Sequence, residues 1–280
     1  MSQYFIIHLF GNIGEKNKME KTIENINKIH EGKTIFIIGN GTGLSLLTDS
    51  QRDIINNGIT IGCNASHLAF KNTNYYITGH LVHLLFNYHF GNCECRIFQG
   101  EPIFGKNEKD LLSVIQTTHR NVVTTPTNIV KDITQETPLS GAEQICFAAT
   151  HIAVLLGAKE IVYVGFDHES PNHYYNYDPF KGQIKKQLTE LKDIYKDDNF
   201  AINDINDFIN INVEPRSIPG AWGSDPSYVP KFYTDYKRTY NLLKDIFHHI
   251  KQYGIEVTSI EEKSIITKAG AQLKKIEEFK

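Results

Sequence analysis

Residues 34–43 have the sequence Thr34-Ile35-Phe36-Ile37-Ile38-Gly39-Asn40-Gly41-Thr42-Gly43, and this stretch decides the fold. Its first half is a short apolar run, which is typical of a strand buried on both faces of a parallel sheet. Its second half is a glycine turn, where the backbone can take unusual angles and a ligand can approach it closely. Ligands of open α/β sheets bind beyond the carboxyl ends of the strands. We therefore expect a ligand at this turn.

Strand and helix patterns alternate along the rest of the chain. A helix apolar on nearly every side follows Ser140, which indicates burial. Strands that alternate with helices predict a parallel sheet with helices on both faces. The predicted fold class is therefore α/β, a Rossmann-like open and mostly parallel sheet with a lid-like insertion. The predicted strands cover residues 34–38, 59–63, 75–78, 95–98, 121–123, 161–166 and 255–258.

The amino-acid composition and the secondary-structure patterns change along the chain and suggest four parts. Residues 1–31 form an N-terminal strand and helix extension, and residues 32–167 form a nucleotide-binding α/β core. Residues 168–230 are rich in Asn, Asp, Tyr and Pro, with one helical pattern at 181–196. A long polar insertion after a strand is a candidate lid. Residues 231–280 supply a helix and a strand that complete the core.

Composition and charge exclude several classes of protein. The 280 residues carry a formal net charge of −3, which disfavours binding to nucleic acid through bulk charge. No apolar run approaches the roughly 18 residues that a transmembrane helix needs. Peripheral membrane contact and homo-oligomer formation stay open. The four cysteines fit neither a disulfide framework nor a zinc site, so we predict a reducing, cytoplasmic location.

The glycine turn supplies the first candidate binding residues. A helix that starts just after it would offer free N–H groups and a positive dipole to a phosphate. The spacing is neither the dinucleotide fingerprint nor a P-loop, because Leu44 takes the place of the last glycine and no Lys-Ser or Lys-Thr follows. The alternative is a tight turn without a ligand. The predicted nucleotide contacts are Gly39, Asn40, Gly41, Thr42 and Gly43.

Two further positions extend the predicted nucleotide site. The second strand ends in Asn64, where a dinucleotide site usually has an acidic residue, so NAD and FAD are disfavoured. An Asn can still bond a ribose, a base or a phosphate, or can simply occupy a turn. Ser140-Gly141 begins a helix with a capping box to Glu143. This start could contact an anion or a base, or could be a plain helix cap.

The segment after residue 165 carries the candidate catalytic groups. Asp167 ends a strand, and with Glu169 it could form a metal-binding acid pair or could cap the next turn. His173 is suited to act as a general base. Its neighbours include several tyrosines and asparagines, which suit stacking on a sugar or base. The alternative is a tyrosine-rich surface loop.

Several of these motifs together resemble one superfamily over about residues 20–180. They resemble motifs of bacterial sialyltransferases of the Campylobacter lipooligosaccharide type and of MptE-like 6-hydroxymethylpterin diphosphokinases. In both groups a G-N-G turn, a strand ending in Asn, and a Ser-Gly pair precede a Gly-x-Asp block. The matching segments here are Gly39-Asn40-Gly41, Gly62-Cys63-Asn64, Ser140-Gly141, Gly165-Phe166-Asp167 and Asn172-His173-Tyr174.

The resemblance implies specific roles. Asn40, Gly41, Asn64, Ser140 and Gly141 would contact a cytidine nucleotide sugar, with His173 as the nearest candidate for the base. Tyr174 and Tyr177 would replace the lid tyrosines that hold the leaving phosphate. The sequence departs from the family where Thr42-Gly43 replaces Pro-Ser, and where Glu136-Thr137-Pro138 stands in place of an expected Arg.

The leading hypothesis is a transferase with a nucleotide-activated donor, most closely a sialyltransferase-like glycosyltransferase. It predicts a CMP-sugar as donor and a glycan as acceptor, and leaves the need for a divalent metal open. One alternative is an MptE-like pterin diphosphokinase, which would bind ATP and Mg²⁺ through Asp167 and nearby acids. The other alternative is a non-catalytic protein that binds a nucleotide or a glycan.

Overall fold

The protein was analysed as a computed structural model, which describes residues 27–99, 116–118, 145–167, 173–213 and 228–279. Most of the predicted N-terminal extension and the strand predicted at 121–123 lie outside these residues. The other predicted strands are present, within a few residues of the predicted bounds. Two further short strands, at Gln116–Thr118 and Gln272–Leu273, were not predicted.

Eight parallel strands form one sheet, which confirms the predicted Rossmann-like α/β fold. Their order in the sheet is β5-β4-β3-β2-β1-β6-β7-β8. The strands are β1 (Thr34–Ile38), β2 (Ile59–Cys63), β3 (Asn72–Thr78), β4 (Asn92–Gln99), β5 (Gln116–Thr118), β6 (Glu160–Val164), β7 (Glu256–Ser259) and β8 (Gln272–Leu273).

The chain reverses direction across the sheet at its centre. From β1 it proceeds outward through β2, β3, β4 and β5, and then returns to β6 on the other side of β1. The last paired residues of the two central strands are Ile38 and Val164. The segments that leave β1 and β6 therefore diverge above this pair. Such a switch point is where open α/β sheets form a crevice for ligands.

Helices cover both faces of the sheet. The described helices are α1 (Asp49–Asn56), α2 (Leu81–Phe90), α3 (Ile145–Leu155), α4 (Phe180–Ile194), α5 (Asn199–Phe208), α6 (Tyr228–Lys251) and α7 (Ile265–Lys268). Because side chains alternate along a strand, each central strand contributes to two cores. One core joins the sheet to α3, α6 and α7 and includes Ile35, Ile37, Ile61 and Tyr163. The other joins it to α1, α2, α4 and α5 and includes Phe36, Ile38, Val162 and Val164.

The segment after the glycine turn differs from the prediction. The sequence predicts a helix that opens at Leu44, but Thr42–Leu46 forms only a short 3-10 helix. The α-helix starts at Asp49, where the Thr48 hydroxyl accepts from the Gln51 N–H and the Gln51 side chain accepts from the Thr48 N–H. This capping box fixes the start of α1. The dipole of α1 therefore does not begin at the glycines.

The described part of the predicted lid is a packed helical layer. Residues 173–213, here called the lid segment, contain α4, α5 and a π-helical turn at Ile209–Val213. The sequence predicts only α4, because α5 is rich in Asn and Asp. Its apolar residues nonetheless recur at helical spacing and are buried: Ala201, Ile205 and Phe208. The lid segment thus shares the core on the α2 face of the sheet.

Two further expectations concern membranes and thiols. Across the described ranges, every helix is too short or too polar to cross a bilayer. The four cysteines are free thiols. Burial raises the pKa of Cys93 to about 11 and that of Cys146 to about 12. Both thiols are therefore protonated near neutral pH, the form that binds metals poorly.

Candidate functional site

The candidate site lies at the switch point, where the glycine turn packs against the segment after β6. The Gly39 N–H donates to the Val164 carbonyl at 2.8 Å, and the Gly41 N–H donates to the Gly165 carbonyl at 2.7 Å. These two bonds continue the β1–β6 pairing beyond the strands. The turn is thereby fixed to a segment about 125 residues further along the chain.

Close packing of the protein against itself accounts for the glycines of the turn. A Cβ at Gly39 would collide with the Gly165 carbonyl, and a Cβ at Gly41 would collide with the Asp167 carboxylate. A Cβ at Gly43 would collide with the carboxylate of Glu261. Glycine is therefore required at residues 39 and 41, which face the backbone of Gly165, whether or not a ligand binds, whereas at residue 43 only a side-chain carboxylate would have to move. These glycines alone do not indicate a ligand.

Asp167 caps the glycine turn. Its Oδ2 accepts a hydrogen bond from the Thr42 hydroxyl and another from the Gly43 N–H at 3.3 Å. The sequence analysis offered a cap of the next turn as the alternative to metal binding, but the described bonds of the Asp167 carboxylate are to the glycine turn, about 125 residues earlier. Within the described residues, no cluster of three or more His, Cys, Asp or Glu side chains could hold a metal ion. Glu169 lies outside the described residues.

Glu261 belongs to the same site and was missed in the sequence. Its carboxylate accepts from the Gly165 N–H at 2.8 Å and from the Phe166 N–H at 2.9 Å. Burial, together with the negative charge of Asp167, raises the pKa of Glu261 to about 7. Glu261 follows β7, the neighbour of β6, so its place at the carboxyl edge was a signal that could have been used.

Asn40 and Asn64 bring two side-chain amides together beside the turn. The Asn40 Nδ2 donates to the carbonyl of Cys63, the residue before Asn64, at 3.2 Å. The Asn40 Oδ1 is buried without a hydrogen-bond partner. The Asn64 Oδ1 accepts from the Thr78 hydroxyl at 2.9 Å, and no described residue accepts from its Nδ2. One acceptor and one donor of the amide pair thus have no described partner.

Asn64 also has an unusual backbone conformation. Its φ angle is +50°, in the left-handed region that Asn tolerates better than most residues. Its carbonyl accepts from the Tyr76 hydroxyl at 2.6 Å, and the Tyr76 hydroxyl also lies 2.7 Å from the His83 carbonyl. This network fixes the end of β2. The position of the Asn64 amide is therefore set by the sheet and by the start of α2.

The lid segment reaches the turn through Tyr174. The Tyr174 N–H donates to the Asn40 carbonyl at 3.1 Å, and its hydroxyl donates to the Ala65 carbonyl at 2.5 Å. The Tyr174 side chain is fully buried, whereas that of Tyr177 is 42% exposed. His173 is half-buried and stacks on Tyr175 with 4.9 Å between ring centroids. His173 therefore lies beside the turn, and the Tyr174 hydroxyl is engaged in holding the lid segment.

Tyr174→Phe is expected to lower the free energy of unfolding by about 1–2 kcal/mol, because the buried Ala65 carbonyl loses its partner. Tyr177→Phe removes a hydroxyl from an exposed side chain and should change that free energy by less than about 0.5 kcal/mol. Urea denaturation of both variants measures the difference. Equal losses in the two variants would contradict the structural role of the Tyr174 hydroxyl.

A cavity of about 550 Å³ lies at the opposite, amino edge of the sheet, next to Gly58 and Phe279. Glu160 lines it, but its carboxylate is already bonded to the Lys274 ammonium at 2.6 Å and to the Thr258 hydroxyl at 2.8 Å. The cavity therefore presents few free polar groups. It is separated from the switch point by the length of the central strands.

The structure brings most of the predicted site residues together. The glycine turn, Asn64, Asp167 and Tyr174 meet at the carboxyl edge of the sheet, with His173 beside them. Ser140 and Gly141 lie outside the described residues. Tyr177 projects to the surface. No known protein-family model matches the chain, and a search of curated proteins finds no significant relative. The fold and the switch point thus define the class, an α/β protein of the Rossmann-like type.

Proposed function

We propose that the chain binds a nucleotide at the switch point and acts as a transferase with a nucleotide-activated donor. The amide pair of Asn40 and Asn64 carries this proposal. The edge of a nucleobase such as cytosine offers an amino donor and a ring-nitrogen acceptor side by side. The Asn40 amide is bonded to the Cys63 carbonyl, next to Asn64, so the Asn40 Oδ1 and the Asn64 Nδ2 offer an acceptor and a donor on neighbouring segments that complement such an edge.

We favour a CMP-sugar as donor and a glycan as acceptor, which is the sialyltransferase-like function that the sequence resemblance implies. An acceptor hydroxyl would attack the anomeric carbon while the bond from that carbon to the phosphate oxygen breaks. His173 would take the proton from the attacking hydroxyl as general base. Tyr177, whose side chain is partly exposed, would donate to the leaving phosphate as the resemblance implies, whereas the Tyr174 hydroxyl holds the Ala65 carbonyl.

The Asp167 Oδ2 accepts from the Thr42 hydroxyl and the Gly43 N–H, so this oxygen serves the glycine turn rather than a ligand. A pterin diphosphokinase would need ATP and Mg²⁺ at this edge, and it is the second enzyme that the resemblance implies. The non-catalytic binder shares the amide pair and differs only in lacking turnover.

Calorimetric titration with CMP tests the proposal, with UMP and Mg²⁺-ATP as competitors. CMP should bind more tightly than Mg²⁺-ATP. Asn64→Ala should weaken CMP binding by up to about tenfold, since one hydrogen bond contributes a net of about 0.5–1.5 kcal/mol. Asn57→Ala is the matched control, because Asn57 lies at the amino edge of the sheet and should leave the affinity unchanged.

The outcomes separate the three functions. CMP binding with release of sugar from a CMP-sugar supports the transferase. CMP binding without turnover on any acceptor supports the non-catalytic binder. Tighter binding of Mg²⁺-ATP supports the diphosphokinase. Absence of all nucleotide binding, or CMP binding that is insensitive to Asn64→Ala, would contradict a nucleotide site at the amide pair.

A further inference from the structure

Three histidines of the core connect it to the lid segment. His67 follows β2, and its Nε2 lies 3.0 Å from the Oε1 of Gln187 on α4. The Nε2 of His89, near the end of α2, lies 3.0 Å from the hydroxyl oxygen of Tyr195, just after α4. The ring of His83, on α2, packs against the ring of Phe208 on α5, with 5.0 Å between the ring centroids. The helices of the lid segment thus contact the core through imidazoles.

The surroundings of these imidazoles are apolar. His67 and His83 are almost fully buried, and both rings pack against Phe86. The Nδ1 of His83 is buried and has no hydrogen-bond partner. A proton on either ring would place a charge in an apolar core without a carboxylate beside it, which is costly.

The pKa values of all three groups are lowered in the folded protein. Burial lowers the pKa of His67 to about 4, against an ordinary value of 6.5. Burial also lowers the pKa of His83, and the neighbouring imidazoles of His80, His67 and His173 lower it further. Burial lowers the pKa of His89 as well. Burial therefore favours the neutral imidazole at all three contacts, although the hydrogen bond to Gln187 opposes this at His67.

The acidic groups that face this interface come from α5. Asp204 accepts from the Val82 N–H at 2.7 Å, and its carboxylate interacts with His80 and with Asp207. Burial raises the pKa of Asp204, so protonation of Asp204 favours the docked lid segment in acid. A proton on this one carboxyl stabilises the docked lid segment, whereas protons on the three histidines destabilise it. No described carboxylate forms an ion pair with His67, His83 or His89.

We propose that protons weaken the docking of the lid segment on the core, so that moderate acid raises the fraction of molecules in which α4 and α5 open while the sheet stays folded. Undocking would break the two bonds that Tyr174 makes to the Asn40 carbonyl and the Ala65 carbonyl. The glycine turn and the amide pair would then be open to solvent. This device depends only on the packing of the lid segment, and it holds whether or not the switch point binds a nucleotide.

The direction of the pH effect follows from the thermodynamic linkage between proton binding and docking of the lid segment. A histidine whose pKa is lower when docked than when undocked binds protons more tightly in the undocked state. Its stabilising contribution is complete above pH 6.5 and is lost as the pH falls toward 4. Between pH 7.5 and pH 5, His67 alone shifts the equilibrium about thirtyfold toward the undocked state. His83 and His89 act in the same direction.

Hydrogen–deuterium exchange of the full chain at pH 7.5 and pH 5 tests the proposal, after correction for intrinsic exchange rates. Peptides from α4 and α5 should lose protection by about thirtyfold or more in acid, while peptides from β1 and β6 keep theirs. A triple variant, H67Q/H83Q/H89Q, should lose most of this pH dependence. His248→Gln on the exposed side of α6 is the matched control and should behave as the wild type.

If the triple variant does not fold, the single variant His67→Gln serves instead. Its peptides from α4 and α5 should lose about thirtyfold less protection in acid than those of the wild type. Two results would overturn the proposal. One is that α4, α5 and the sheet lose protection together in a single transition. The other is that the variants keep the full pH dependence. Neither result depends on CMP binding, so this test and that of the nucleotide site fail independently.

Discussion

Replacing Gly39 with alanine is expected to lower the free energy of unfolding by about 3 kcal/mol, the upper end for overpacking by one methyl group. The new Cβ would meet the Gly165 carbonyl and the ring of Phe166, on a backbone fixed by the Val164 carbonyl. A backbone oxygen held in a sheet cannot move aside as a flexible side chain can. Chemical denaturation with an unchanged m value measures the loss.

Gly182→Ala is the matched control for this prediction. Gly182 lies in α4 with nothing within 4 Å of an added Cβ. Alanine there should raise the free energy of unfolding by about 0.5–1 kcal/mol, because it improves helix propensity. Equal tolerance of alanine at both glycines would show that the turn and the β6 segment are not packed as described.

Replacing Glu261 with glutamine is expected to change how stability depends on pH. The pKa of Glu261 is raised from 4.5 to about 7, so the folded state binds its proton more tightly than the unfolded state. The stability from this proton is complete below pH 4.5 and is lost as the pH rises through 7. Between pH 5.5 and pH 8 the wild type should lose about 2 kcal/mol that Glu261→Gln does not lose.

Thermal or urea unfolding of both proteins across this pH range measures the difference. The histidines of the lid interface titrate in both proteins and cancel from the comparison. Glu262→Gln is the control, because Glu262 is the exposed neighbour of Glu261 and should follow the wild type. A wild type and a Glu261→Gln variant with parallel pH profiles would rule out an unusual proton on Glu261.

The central strands were predictable because burial on both faces makes each of them a continuous apolar run. Residues 35–38 and 161–164 carry this signal in full, whereas Thr60 interrupts it in β2. In contrast, α2 was missed because it is apolar on nearly every side and, unlike α3, has no capping motif in its sequence to mark its start. Its buried residues extend from Leu81 to Asn87. Local pattern thus identified the sheet more completely than the helices that cover it.

The candidate site was predictable only in part, because contacts between distant segments decide its chemistry. The glycine turn suggests a ligand when considered alone, yet Gly39 and Gly41 are already required by the backbone of Gly165. Position at a strand end correctly placed Asn64 and Asp167 at the carboxyl edge. It could not show that Asp167 caps the turn, or that Glu261 holds the segment after β6.

A nucleotide bound at the switch point through the amide pair would perturb the NMR signals of ¹⁵N-labelled protein. CMP is titrated into the full chain and each backbone and side-chain amide signal is followed. The largest shifts are expected at Asn40, Gly41 and the side-chain amide of Asn64, with little change at Asn57. Shifts confined to the amino edge of the sheet, or no shifts at saturating CMP, would contradict binding at the switch point.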